Sequence, residues 1–179
     1  LKYQGSIFPM GSELSINNNP QFHIWAKGSQ IQRHGCPTNH PLSKTRQQEL
    51  CGGECFNPSG KFKKIKQFEI IKITPRLYNN EYIGDLIQDP WKILKCNKVE
   101  CEYTFKDNNF LTHNRPSIYY VRVIQEKSQI INGNGIICKN NKCSEISLCT
   151  GGFETDDNND CLGPANQRAW SSPIYLYKK

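Results

Sequence analysis

Several stretches of this chain alternate apolar and polar residues with a period of two, and no other feature restricts the fold as much. In Gln21–Lys27, QFHIWAK, Phe22, Ile24 and Ala26 fall on one side and Gln21, His23 and Trp25 on the other. Successive side chains point to opposite faces only in extended backbone, so the segment is predicted to be a strand. Pro20 and the triplet Asn17, Asn18, Asn19 supply the turn before it. Residues 67–74, QFEIIKIT, place Phe68, Ile70 and Lys72 opposite Glu69, Ile71 and Ile73, and Pro75 ends the run. Residues 117–125, SIYYVRVIQ, have the highest β propensity, with Tyr119, Val121 and Val123 opposite Ile118, Tyr120, Arg122 and Ile124, and are expected at the centre of a sheet. Residues 102–105 read as a further strand and residues 136–138 as a minor one. In the closing RAWSSPIYLY, residues 168–177, Ile174 and Leu176 alternate with Tyr175 and Tyr177. Pro173 lacks a backbone donor and suits the start or edge of that last strand, and Trp170 is expected to anchor it.

Helix is scarce. Leu86, Ile87 and Trp91 in EYIGDLIQDPWKILKC, residues 81–96, could form one, but Gly84 and Pro90 interrupt it, so a loop with a helical turn is expected. Short strands between turns predict a mainly β chain, an antiparallel β-sandwich with long disulfide-stapled loops and little helix. Its 179 residues suit a single domain over 1–179 with a core of its own. Residues 28–60, dense in Gly, Pro, Ser, Thr and Asn, form a polar insert containing Cys and His. No apolar run approaches the roughly 18 residues of a spanning helix. LKYQGSIFPMGSE has no basic region followed by an apolar block, so no signal peptide is visible. The chain begins at Leu1 and its only methionine is Met10, so a mature or truncated product is expected.

Nine cysteines point to an oxidising, extracytoplasmic location, secreted or periplasmic. Cys96 and Cys101, Cys138 and Cys143, and Cys149 and Cys161 are each spaced to close a short loop, as a turn between adjacent strands allows. The other three lie near two histidines, in HGCPTNH and CGGEC. His34, Cys36, His40, Cys51 and Cys55 could supply a tetrahedral zinc set with one member to spare. The competing reading is a disulfide from Cys36 to Cys51 or Cys55, with one cysteine left over.

Chemical motifs are otherwise few. No Gly-rich phosphate loop, GxSxG elbow or HExxH is present. His23 alternates within a strand and reads as a wall residue rather than a base. His113 with Arg115 would suit an anion if both faced a cleft, and a solvated turn otherwise. Asp156, Asp157, Asn158 and Asp160 offer oxygens to calcium, but Cys161 stands where an EF-hand needs glycine and the distal glutamate is missing. The net charge of +7 is spread along the chain, with one cluster in KFKKIK, residues 61–66. Such lysines could track phosphates, but solvated lysines guarding a sheet edge explain them as well, and nucleic acid is not the expected partner.

Four blocks carry a resemblance: PMGSEL from Pro9; the strand followed by ITPRL and DPWKILKC; YYVRVIQE with INGNG and the paired cysteines; and DDNNDCLGPANQRAWSSPIYL. In this order they resemble the C-terminal part of an uncharacterised family, a domain of unknown function similar to the PHP (polymerase and histidinol phosphatase) group of metal-dependent hydrolases. Residues 28–60 match poorly. The resemblance implies a parent hydrolase, with a phosphoester as a conceivable substrate, whose divalent metal is bound upstream by histidine and acidic residues starting from a short HxH motif. No HxH occurs here, so the resemblance implies no catalytic residue or cofactor in this segment, and its partner would be the upstream catalytic domain of the same chain. A different class of reading is a free-standing, disulfide-stabilised extracellular module that binds carbohydrate or protein, with Trp25, Trp91 and the tyrosines as contacts.

Overall fold

Each alternating run forms a strand in the structure, a computed structural model that describes residues 1–131, 133, 136–139, 142–146 and 162–179. In chain order the elements are β1 (Lys2–Tyr3), β2 (Ser6–Ile7), β3 (Glu13–Ile16), β4 (Gln21–Lys27), β5 (Gln30–Gln32), α1 (Lys44–Cys51), β6 (Pro58–Phe62) and β7 (Ile65–Ile73). There follow α2 (Ile83–Leu86), β8 (Ile87–Lys98), β9 (Glu100–Lys106), α3 (Phe110–His113), β10 (Ser117–Ile131), β11 (Ile136–Lys139), β12 (Lys142–Ile146), β13 (Leu162–Trp170) and β14 (Ile174–Lys178).

The chain is mainly β, and two antiparallel sheets pack as a sandwich. The larger runs β3-β14-β10-β7-β8, with β13 also on β10, and the smaller runs β2-β1-β4-β9. Among the described residues all pairings are antiparallel except β3 on β14. β10 is central, as its β propensity predicts: β7 lies along one side, and β14 and then β13 share the other. At the break between those two, Ser171 replaces the missing ladder, its N–H donating to the Val121 carbonyl at 3.0 Å and its Oγ accepting from the Val121 N–H at 3.0 Å.

The inward faces meet through aromatic rings. Phe22 on β4 stacks on Phe105 of β9 at 5.1 Å and reaches across to Tyr119 of β10 at 4.8 Å, while Phe68 of β7 meets Tyr103 at 5.7 Å. Phe68, Ile70, Ile16, Ile174 and Leu176 complete the core, each contributing about 1.5–3 kcal/mol on full burial. The Cys96–Cys101 disulfide, with Cα atoms 6.3 Å apart, ties β8 of one sheet to β9 of the other. Lys72, on the core face of β7, is 2.5 Å from Asp107, which also accepts from the Tyr119 hydroxyl at 2.7 Å and the Asn109 N–H at 2.9 Å.

Two expectations need correction, and one strand has no signal in the sequence. The helical turn expected within residues 81–96 forms as α2, but residues 87–98 form strand β8 instead of a loop, because β8 lies at the sheet edge and Pro90 falls where its register on β7 shifts. Residues 162–170 form strand β13 although they lack alternation, since pairing to the long β10 is a backbone matter. Gly163 is required there: a Cβ would lie 2.1 Å from the Gly133 carbonyl oxygen. Trp170 does not anchor the last strand, for it ends β13 and is 59% exposed.

The insert contains β5 paired with β6 and helix α1, which buries none of its residues. Ser43 caps α1 by accepting from the Arg46 N–H, and Gly52 ends it in the left-handed region at φ 58°.

Candidate functional site: an apolar cleft beside β4

The inward face of β4 changes along its length. Phe22, opposite the β1 end of the small sheet, is buried, whereas Ile24 and Ala26 on the same face are only half-buried. The cause lies in β1, which meets β4 at a single pair, Lys2 with Gln21, and no other described strand pairs along the rest of that edge. Beyond it an apolar cleft of about 740 Å³ opens between the sheets. Ile7, Met10, Ile24, Val121, Val123 and Trp170 are among the residues that line it. Val121 and Val123 are inward residues of β10, yet they too are only half-buried, so the cleft is a part of the core left unfilled by the described residues. Burying apolar groups is the main favourable term in folding, and an opening of this kind is a place where a further group gains by entering.

Polar groups line the outer face of β4. Trp25, 56% exposed, donates from Nε1 to Glu100 Oε1 at 2.7 Å. His23 places Nδ1 3.3 Å from Thr104 Oγ1 and Nε2 3.3 Å from Glu102 Oε1. Its imidazole is exposed among these cross-strand neighbours.

The other sequence candidates lie elsewhere. Cys36 is bonded to Cys55 with Cα atoms 4.6 Å apart, and Cys51 is free and exposed. The bridge goes to Cys55 because the left-handed pair Gly52–Gly53 reverses the chain after α1, bringing the following residues back against Cys36 and leaving Cys51 on the helix. Two sulfurs of the proposed zinc set are thus joined to each other. Its histidines stand apart, His34 with a fully exposed side chain 3.9 Å from Glu54, and His40 accepting from the Leu42 N–H. Among the described residues no three His, Cys, Asp or Glu side chains converge on a common point as they would around a metal ion. Cys138 and Cys143 are register partners across β11 and β12, and Cys143 is disulfide-bonded. Cys149, Cys161 and the acidic group Asp156, Asp157, Asn158 and Asp160 lie outside the described residues.

The lysine cluster is divided. Lys63 is drawn inward to Ser128 Oγ at 3.1 Å and Gln167 Oε1 at 2.8 Å, while Lys61 and Lys66 are exposed. Arg115 does not join His113: its guanidinium binds Glu81 at 2.6 Å and the Pro75 carbonyl at 2.7 Å. The Arg115 hydrogen bond, with the Tyr78 and Leu77 N–H groups, holds the Glu81 carboxyl down at about 2. Trp91, one of the named contact residues, is half-buried against Phe105 and Tyr119, and Trp25, on the outer face of β4, reaches the cleft only at its rim.

Sequence reasoning missed the cleft because the inward residues of a half-covered strand look like those of a covered one. Among the described residues no helix is long and apolar enough to cross a membrane. No family model, curated protein or solved structure matches the chain.

Proposed function

We propose that this chain is a non-catalytic, C-terminal β portion of an exported, PHP-like metal-dependent hydrolase acting on a phosphoester. The observation that carries this reading is the unfilled cleft: a sandwich whose core is left open along one edge suits a part that completes its packing against another. The two mapped disulfides support export, since such bonds persist in oxidising compartments. The divalent metal implied by the resemblance finds no converging donor set among the described residues, so on this reading its ligands lie on polypeptide preceding Leu1.

The test is the gene product in full. Metal content and hydrolysis of p-nitrophenyl phosphate are expected in the longer protein and in neither form for the 179-residue chain. A start codon or signal peptide directly before Leu1, or ester hydrolysis by the isolated chain, would overturn the reading. The second reading, a binding module for carbohydrate or protein, draws on the exposed Trp25 on the outer face of β4 and the exposed Trp170 at the cleft. It requires saturable quenching of tryptophan fluorescence by an oligosaccharide or protein ligand, lost in Trp25→Ala.

A further inference from the structure

We propose that the uncovered edge of β4 takes an extended polypeptide strand, and that this strand is the segment leading into Leu1, prolonging β1 antiparallel to residues 23–27. The inference rests on the preceding reading only in requiring polypeptide before Leu1.

Main-chain geometry gives the direction. In an antiparallel ladder successive residues turn their N–H and C=O groups alternately to the two sides. Asp107 N–H donates to the Pro20 carbonyl at 3.2 Å and Gly28 N–H to the Val99 carbonyl at 2.8 Å, so the even positions of β4 face β9. The odd positions, Gln21, His23, Trp25 and Lys27, face the opposite side. Leu1 exchanges both of its main-chain bonds with Phe8, at 2.9 and 2.8 Å, which turns Lys2 toward β4 and its partner Gln21. Among the described residues, the main-chain groups of His23, Trp25 and Lys27 have no backbone partner on that side. A bare strand edge is a template for another strand, and it supplies main-chain bonds while alternate side chains supply the fit.

The register follows by counting. Leu1 falls opposite Phe22, and both are buried in the core. The first, third and fifth residues before Leu1 then fall opposite His23, Trp25 and Lys27 and exchange main-chain bonds with them. The second and fourth fall opposite Ile24 and Ala26 and direct their side chains into the cleft, so they must be apolar. The Leu1 nitrogen already stands in a ladder position, where a peptide N–H would donate the same bond to Phe8 without a charge to desolvate.

Amide hydrogen exchange tests this on the 179-residue chain and on the same chain carrying its ten native preceding residues. Exchange at His23, Trp25 and Lys27 is expected to slow by roughly tenfold or more in the longer form, and to return to the faster rate when the first and third preceding residues are proline. Equal rates in both forms would overturn the proposal, as would the absence of polypeptide before Leu1 or charged residues at the second and fourth preceding positions. Protection in the 179-residue chain that grows with protein concentration would assign the edge to a second copy instead. A preceding segment that protects these amides but belongs to no hydrolase would remove the functional reading and leave the strand in place.

Discussion

Lys72 shows how one residue can follow a pattern and alter its meaning. Its place on the core face beside Phe68 and Ile70 is legible in the alternation of residues 67–74, but its partner, Asp107, comes from beyond β9 and is visible only in the fold. Both side chains are almost fully buried, at 4% and 3% exposed. Removing one charge strands the other, so Lys72→Met is expected to lose about 3–5 kcal/mol in urea unfolding, and Lys72→Met with Asp107→Asn to lose less than Lys72→Met alone. Burial pushes the Asp107 carboxyl up, but the bonds from Lys72, Tyr119 and Asn109 outweigh it and hold it below the ordinary range. A carboxylate depressed in the folded state stabilises above its unfolded pKa, and that contribution is lost as pH falls through the folded value. Asp107 and Glu81 should therefore contribute fully at neutral pH, and stability should fall below about pH 4.5, continuing toward about 2, where Glu81 titrates. In an acid titration of the unfolding free energy, Glu81→Gln is expected to make this fall shallower.

At the scale of elements, the sheet connections separate two kinds of staple. Cys96–Cys101 closes a loop with a sequence separation of 5 between β8 and β9, and its removal as Cys96→Ser with Cys101→Ser should cost about 2 kcal/mol in the chain-entropy argument. Cys36–Cys55 has a separation of 19, but the buried core contains no residue of the insert, which spans 28–60. Cys36→Ser with Cys55→Ser should accordingly leave the midpoint of core unfolding almost unchanged and speed proteolysis within the insert. The sequence showed the pairing of Cys96 with Cys101 because a short spacing admits few alternatives. It left Cys36 between two partners because the choice depends on the reversal at Gly52 and Gly53, a local conformation that spacing does not encode. β8 was hidden for a related reason: Pro90 forbids a central strand but is tolerated at an edge, and edge or centre is decided by neighbours distant in the chain.

In the molecule as a whole, the cleft is the feature on which the proposed function rests. An unfilled apolar opening of about 740 Å³ should bind an apolar fluorescent dye such as anilinonaphthalene sulfonate in the isolated chain. Trp170→Ala should weaken that binding while changing stability by less than about 0.5 kcal/mol, since its side chain is 59% exposed. Unchanged dye fluorescence in the variant would show that the dye sits elsewhere, and a large loss of stability would restore the anchoring role.

By itself the sequence determined the class of fold, six of the fourteen described strands (β4, β7, β9, β10, β11 and β14) and which residues share a face, because a period of two is a property of extended backbone and needs no partner to be read. It also marked β10 as central through its β-branched and aromatic content. Only the tertiary structure decided which strands pair, which cysteine Cys36 meets, and where the core stops short of closing. Those outcomes depend on contacts between residues far apart in sequence. The half-buried state of Ile24 and Ala26 is the clearest case: their pattern is that of a covered strand, and they are left open because β1 meets β4 at one pair alone.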